Sequence, residues 1–351
     1  MKNDDREIML GKYETILVTG GSGFIGGHLV DKLITLNKKI ILIDRVEPTI
    51  KSNQVNWIKE DIRKKVRIHD IMMKHKPNLI FHVAANANGS LSVTQPEVDF
   101  SNNVIGSTNI FYAARDAKVK RIVNVSSASV YGIPQIFPIS EEHPRDPFVP
   151  YGAGKRAVEI LATAYYHTWG LPIVSIRPFC VYGPGENMKA TLVEPSRYAS
   201  WHINNGKIPV IGDPDRKTRD FVYVDDVVRG MLILAERGKL GEQYNVGSGT
   251  ETTMRQLVEA IDKATGKTAT IEANREITED TYRLVGDIEK LKSLGYRPQT
   301  SLEDGIQKLV QSFRKMYGDK PPLPNVPTIF NSAQIGEMRN SFPFEKTGMG
   351  G

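Results

Sequence analysis

Tyr151 and Lys155, written YGAGK after a stretch that includes Pro144, Pro147 and Pro150, are spaced for proton chemistry. Ala157, Ile160, Leu161 and Ala164 follow at helical spacing. The pair therefore sits at the start of a helix, and a separation of four puts both side chains on one face. An ammonium beside a phenol favours the phenolate and draws its pKa down from about 10. A tyrosine so tuned can act as general base and then as general acid. A Tyr and a Lys four apart also arise by chance in many helices, so the pair needs company. Ser126, Ser127, Ala128, Ser129, Val130 and Tyr131 follow the apolar run Arg121 to Val125. Ligands of an open α/β sheet bind outside the carboxyl ends of its strands, and a hydroxyl such as Ser127 is well placed there. The alternative is a plain serine-rich loop.

The elements that must carry these groups begin at Ile16 to Gly27, ILVTGGSGFIGG. Ile16 to Thr19 is a short β-rich run, glycines fall at Gly20, Gly23 and Gly26, and Ile25, Leu29, Val30, Leu33 and Leu36 recur at helical spacing. That is strand, tight turn, helix. Glycine lets the backbone turn sharply and lets a pyrophosphate approach, while the helix N-terminus offers free amide donors. Gly20, Gly23, Phe24, Ile25 and Gly26 are thus candidate dinucleotide contacts. A second run, Ile40 to Ile43, ends in Asp44, where a carboxylate can accept from ribose hydroxyls and repel a 2′-phosphate. NAD is expected over NADP, with Arg45 the one residue that pulls the other way. Asp61 and Ile62 could meet the adenine edge; as a lone acid Asp61 could equally cap a helix. Leu79 to Val83 reads as a buried parallel strand, and the small Ala84 and Ala85 beyond it would admit a cofactor. A helix with Asn103, Val104, Ile110 and Ala113 comes next. Strands alternating with helices predict an α/β fold with a doubly wound parallel sheet of Rossmann type.

The remaining chain narrows the classes. At 351 residues there is room for one large or two moderate domains. We expect an NAD-binding domain at 13–179 plus 220–247, a smaller α/β substrate domain at 180–219 plus 248–318, and a tail or arm at 319–351. Residues 1–13 read as a polar tail or cap. Residues 255–265 and 301–313 read as amphipathic helices. Arg216, Lys217 and Arg219 before FVYVDDVV could clamp a diphosphate or form a solvated cluster. Asp225 and Asp226 look like N-cap residues. No apolar run approaches the roughly 20 residues of a membrane span. The charged start MKNDDREIML lacks a signal peptide's apolar segment, and the chain has one cysteine. A cytoplasmic home follows. The net charge of +6 forms no basic stripe, so nucleic acid is not an expected partner. Seven histidines show no paired ligand spacing, so no metal is expected.

Taken together, the motifs resemble the extended short-chain dehydrogenase/reductase family, and within it the nucleotide-sugar 4-epimerases. The likeness runs from about Thr15 to Ser312 through TGGSGFIG, Asp44, HVAA at His82 to Ala85, NNV at Asn102 to Val104, SSASVYG, YGAGK, RPFCVYGPG, RDFVYVDDVV and YNVGSG. The resemblance implies a recycled NAD and a UDP-sugar substrate of the UDP-glucose/UDP-galactose type. Tyr151 would take the proton of the sugar 4′-hydroxyl as hydride leaves carbon 4 for the nicotinamide. Ser127 would bond the same oxygen, and Lys155 would hold the nicotinamide ribose and depress the tyrosine pKa. The 4-keto sugar would turn over before it is reduced on its other face. By the same analogy Arg219 and Arg283 would bind the substrate's diphosphate. Related 4,6-dehydratases carry Thr-Asp-Glu where this chain has Ser127, Ala128 and Ser129, and sugar-acid decarboxylases use a glutamate at Ser129, which argues against both. Cys180 replaces an asparagine common near the sugar diphosphate, and Ile211 an aromatic that often flanks the base. In relatives the helices beginning near Gly106 and Lys155 build a dimer bundle, so a homodimer is expected. The alternatives are a nucleotide-sugar reductase or dehydrogenase of the same fold, which would consume cofactor, and a non-catalytic dinucleotide sensor.

Overall fold

The computed structural model describes residues 10–87, 89–188, 193–204, 206–274 and 282–324. Four strands and two helices open it: β1 (Thr15–Thr19), α1 (Phe24–Thr35), β2 (Lys39–Asp44), β3 (Val55–Lys59), α2 (Lys65–His75) and β4 (Leu79–His82). The next stretch comprises α3 (Gly89–Thr94), α4 (Pro96–Asp99), a π-helical segment Phe100–Ile105, α5 (Gly106–Asp116) and β5 (Arg121–Val125). A 3₁₀ turn Ala128–Tyr131 precedes α6 (Pro150–Trp169), β6 (Ile173–Pro178) and β7 (Cys180–Tyr182). After α7 (Glu194–Ile203) come β8 (Ile208–Ile211), β9 (Thr218–Arg219), β10 (Phe221–Tyr223), α8 (Val224–Arg237) and β11 (Gln243–Val246). The chain closes with β12 (Thr252–Thr253), α9 (Met254–Thr265), β13 (Ile271–Asn274), β14 (Arg283–Leu284), α10 (Glu289–Lys292) and α11 (Leu302–Tyr317).

Seven of these strands form one parallel sheet in the order β11-β6-β5-β4-β1-β2-β3. Because strand side chains alternate between faces, neighbouring residues of β1 enter different cores. Ile16 and Val18 join Leu42, Phe81 and Val123 against Leu29 and Leu33 of α1 and Met231 and Leu232 of α8. Leu17 joins Ile41, Ile80 and Ile122 against Ile68 of α2, Ile110 of α5 and Val158 of α6. Helices on both faces explain why the strands read as continuous apolar runs. The doubly wound α/β sheet is therefore as expected. A third cluster joins Trp201 of α7, Val210 of β8, Leu257 and Ile261 of α9, and Leu309 and Phe313 of α11. Among the described residues no helix is long and apolar enough to cross a membrane.

Three local expectations need correction. Leu10 and Tyr13 are core residues, not a polar cap. The Leu10 amide donates to Glu236 Oε1 at 2.8 Å, and the Tyr13 hydroxyl donates to the Ala235 carbonyl at 2.9 Å, which draws the N-terminal segment under α8. Asp225 and Asp226 lie inside the first turn of α8, whose N-cap is Tyr223. Asp225 bonds His28 of α1 at 2.8 Å, and Asp226 accepts from the amides of Gln299 and Thr300 at 2.9 and 3.0 Å. Both acids tie elements together. The helix around Asn103 opens with a π-helical stretch before α5. Residues 325–351 of the expected tail lie outside the described residues.

Candidate active site

A cavity of about 870 Å³ opens at the carboxyl ends of β1 and β4, where the strand order reverses. That reversal is where open α/β sheets bind ligands. Gly20 turns at φ +73°, and a Cβ there would lie 2.6 Å from the Ala84 nitrogen. A Cβ on Gly26 would lie 2.1 Å from the Gly20 carbonyl oxygen. Only bare backbone fits this cradle. Gly20, Gly23, Phe24, Ile25 and Gly26 all line it, and Gly23 caps α1 with no acidic residue in the helix's first turn. Unblocked first-turn amides suit a pyrophosphate. The buried Ser126 hydroxyl, also in the wall, has no hydrogen-bond partner among the described residues. Free amides, a glycine cradle and an orphan hydroxyl fit a dinucleotide.

Acids gather at one end. Asp44 Oδ2 accepts from the Ser22 amide and Oδ1 from the Val46 amide, each at 3.0 Å, so the carboxylate is held rigidly at the end of β2. Asp61 and Ile62 line the same end, with Arg45 beside them. The Arg63 guanidinium holds Asp61 below the usual carboxylate range, against burial that opposes it. Asp61 thus grips Arg63 at 2.6 Å rather than capping α2, whose N-cap is Lys64. Glu60, which the sequence reading passed over, lines the cavity and is held down chiefly by the Asp61 amide, with Lys64 and Arg67 adding to it.

Ser127, Tyr151 and Lys155 meet in the wall of the cavity, beside Ala84 and Ala85. The β5 end delivers Ser127, whose oxygen accepts from the Ser129 amide and hydroxyl at 3.1 and 2.9 Å. Helix α6 delivers the other two, its first turn fastened where the Tyr151 amide donates to Ser92 at 3.0 Å. Burial pushes the Tyr151 phenol up to about 12, against a hydrogen bond with Ser127 that lowers it. The expected depression by Lys155 is not what the geometry produces. The Lys155 ammonium donates to the Val125 carbonyl at 2.7 Å and stands 6.0 Å from the Tyr151 ring centroid. Burial lowers Lys155 to about 8, with Asp99 and Glu159 pulling the other way.

Behind this pair lies a polar layer that the sequence reading missed. Burial, reinforced by Lys155, pushes His82 down to about 3, so its ring is neutral. The Ser107 hydroxyl donates to the Asn103 carbonyl, so toward His82 Nε2, 2.8 Å away, it can only accept. The proton is therefore on Nε2, and Nδ1 accepts from Thr19 at 2.8 Å. Thr19 Oγ1 accepts from the Ala84 amide at 3.2 Å, which sets the strand end that carries Ala84. HVAA is itself the signal that could have found His82.

Other expected residues stand elsewhere. Asn103 is buried behind the wall, its side chain bonding Asn86 and Asp99. Neither Arg219 nor Arg283 lines this cavity. Arg219 is buried 3.6 Å from Glu194 and donates to the Thr218 carbonyl at 2.9 Å. Arg283 is half-exposed and ion-paired with Glu251. Lys217 is buried as well, not part of a solvated surface cluster. Burial pushes the Cys180 thiol up to about 12, which makes it an inert neutral group. Among the described residues no group of three His, Cys, Asp or Glu is placed to hold a metal ion.

Comparison with known proteins gives the family. The family model described as the NAD dependent epimerase/dehydratase family matches residues 16–247. The UDP-glucose 4-epimerase of Mycolicibacterium smegmatis is 33% identical over 308 residues, covering 85% of this chain and 98% of that one. The UDP-glucuronic acid decarboxylase 1 of Arabidopsis thaliana is 32% identical over 307 residues, covering 85% of this chain and 69% of the other. The crystal structure of Thermotoga maritima UDP-glucose 4-epimerase with UDP-glucose superimposes with a TM-score of 0.78 at 32% identity, over 86% of this chain and 99% of that one.

Proposed function

The chain belongs to the NAD-dependent epimerase/dehydratase family, and from that premise we propose that it is a 4-epimerase of UDP-sugars, of the UDP-glucose/UDP-galactose type. One observation carries this reading. The Tyr151–Ser127 pair is flanked by Ala128 and Ser129, with the Ser129 hydroxyl turned onto Ser127. That is a single proton-handling phenol with no adjoining carboxylate from the Ser127–Ser129 turn. Epimerisation at carbon 4 needs one such group. Elimination of water needs a second acid–base pair, and a carboxyl-directed reaction needs the glutamate that Ser129 replaces.

In this reading the turn from Gly20 to Gly26 holds the pyrophosphate, Asp44 the adenosine ribose, Asp61 and Ile62 the adenine, and Ala84 and Ala85 the nicotinamide side. Asn103 supports the wall from behind. When bound, NAD supplies a reversible two-electron store. Tyr151 removes the proton of the sugar 4′-hydroxyl and returns it, and Ser127 orients that oxygen while easing the phenol's ionisation. Lys155 holds the nicotinamide ribose. Arg219 and Arg283, on the paired strands β9 and β14 and outside the lining of this cavity, would engage the substrate's diphosphate. We further propose a division at 13–179 plus 220–247 and 180–219 plus 248–318, a homodimer, and a cytoplasmic location.

The test is to incubate the protein, without added cofactor, with UDP-glucose, UDP-galactose and their N-acetyl and uronic-acid relatives. Sugars are resolved by chromatography while reduced nicotinamide absorbance is followed. Interconversion of 4-epimers with no net reduced cofactor is the expected result. Turnover only with stoichiometric NAD or its reduced form would replace the epimerase by a dehydrogenase or reductase.

A further inference from the structure

Beneath Tyr151 and Lys155 one buried carboxylate has no part in the roles above. Asp99 ends α4 and is 1% exposed. Its Oδ1 accepts from Asn103 Nδ2 at 2.8 Å and from Asn86 Nδ2 at 3.5 Å. Asn103 also grips Asn86 twice, accepting from its backbone amide at 2.7 Å and donating to its carbonyl at 3.0 Å. Asn86 lines the cavity. From the other side α6 passes so close that a Cβ on Gly154 would lie 2.7 Å from Asp99 Oδ2. The helix thus leaves its gap for this carboxylate, one residue before Lys155.

Among the described residues four titratable groups face the Lys155 ammonium: Asp99 from α4, Glu159 and Tyr151 from α6, and His82 from β4. Glu159 is committed to Arg177, which donates to both its oxygens at 2.7 and 2.8 Å. His82 is a neutral ring with both nitrogens bonded, and Tyr151 is a protonated phenol. Asp99 is the one of the four that carries a negative charge not already paired with an arginine. Burial raises its pKa above the usual carboxylate value, while the Lys155 ammonium and the Asn86 amide pull it back toward the ionised form.

We propose that Asp99 is a positioning residue of this site: its carboxylate keeps the Lys155 ammonium charged through space, and through Asn103 it fixes the cavity wall at Asn86. The inference rests on the reading of the cavity as an NAD site. Its sign is definite. A negative charge near Lys155 favours the ammonium, so removing it lets the lysine deprotonate at lower pH.

The experiment measures NAD affinity, by quenching of protein fluorescence, from neutral to alkaline pH in the wild type, Asp99→Asn and Gly154→Ala. The wild type should bind NAD and weaken as pH rises past the Lys155 pKa near 8. In Asp99→Asn, which keeps the side chain's size, that weakening should begin about one pH unit lower. In Gly154→Ala the new methyl displaces the carboxylate, and the limb should move the same way by less. Should Asp99→Asn fail to fold, the Gly154→Ala curve decides alone. Curves superimposable on the wild type's, from folded variants, would overturn the proposal while leaving the NAD site standing. A wild type that binds no NAD would overturn both.

Discussion

In the proposed reaction Tyr151 carries the chemistry on a single oxygen, so its replacement is the sharpest test at the residue scale. Tyr151→Phe keeps the ring that packs in the wall and removes only the group that handles the proton. Epimer interconversion should fall by about 10²–10⁴, the usual contribution of a positioned acid–base group, while NAD binding stays within a factor of a few. Unchanged turnover would revive the non-catalytic sensor. Gly26 tests the cofactor end. Its Cβ would meet the Gly20 carbonyl oxygen at 2.1 Å, a backbone atom that cannot step aside. Gly26→Ala should therefore lose NAD while the strands beneath stay folded, read from the nucleotide released on denaturing the purified variant. Retention of stoichiometric NAD would show that the turn adapts. Both residues are legible in the sequence because their chemistry is local: a glycine triplet after a strand, a tyrosine and lysine one helical turn apart. Asp99, Ser126 and the tautomer of His82 are not, because each depends on partners that the fold brings from another strand or helix. The phenol's pKa falls between. Spacing four apart correctly places Lys155 on the helix face beside Tyr151, but only the depth of burial decides that the phenol is raised to about 12.

At the scale of elements, α6 matters most, because it presents both catalytic candidates and must not slide. Its anchor is Glu159, wholly buried one turn beyond Lys155 and paired bidentately with Arg177 of β6. Arg177 also donates to the Tyr131 hydroxyl at 2.8 Å, and Tyr131 donates to Asn245 of β11 at 2.6 Å. Truncating one partner of such a pair strands a buried charge, so Arg177→Ala should destabilise by about 3–5 kcal/mol in urea unfolding. A loss below about 1 kcal/mol would mean that water or a rearranged α6 satisfies Glu159. The strands and most helices were readable from apolar runs and helical spacing; this lock was not, since a lone arginine and a lone glutamate carry no pairing signal. Helix α7 offers a second prediction. Burial raises the Glu194 carboxyl, but Arg219, Lys217 and Arg197 outweigh it and hold it at about 2. A depressed carboxyl stabilises fully above its unfolded pKa near 4.5 and loses that contribution as pH falls through the folded value. Unfolding free energy should thus drop between pH 4.5 and 2 in the wild type and drop less in Glu194→Gln; parallel acid limbs would remove Glu194 as their cause.

For the whole molecule the open question is what covers the outer face of α5 and α6. Tyr112, Tyr165 and Trp169 form a ring cluster there, with Tyr165 and Trp169 centroids 4.6 Å apart and the Arg115 guanidinium 4.7 Å from the Trp169 ring. Phe100 and Ile105 of the π-helical segment that leads into α5 are 55% and 43% exposed, and Ile160 of α6 is 53% exposed. Single exposed apolar residues need no explanation, but several on adjoining helices form a patch that association would remove from water. These residues lie on α6, on α5 and on the segment that leads into α5, the helices that the family resemblance singles out, and a dimer would seat α5 and α6 of one copy against those of the next in an isologous contact. Because α6 also carries Tyr151 and Lys155, such a contact would brace the catalytic helix from outside as Glu159–Arg177 braces it from within. Light scattering should therefore give twice the chain mass of 39.2 kDa. Ile160→Asp, which puts a charge on an exposed position of α6 that does not line the cavity, should shift the protein toward monomer and lower its melting temperature. A wild type at the single-chain mass would reject the dimer and leave this face to another partner.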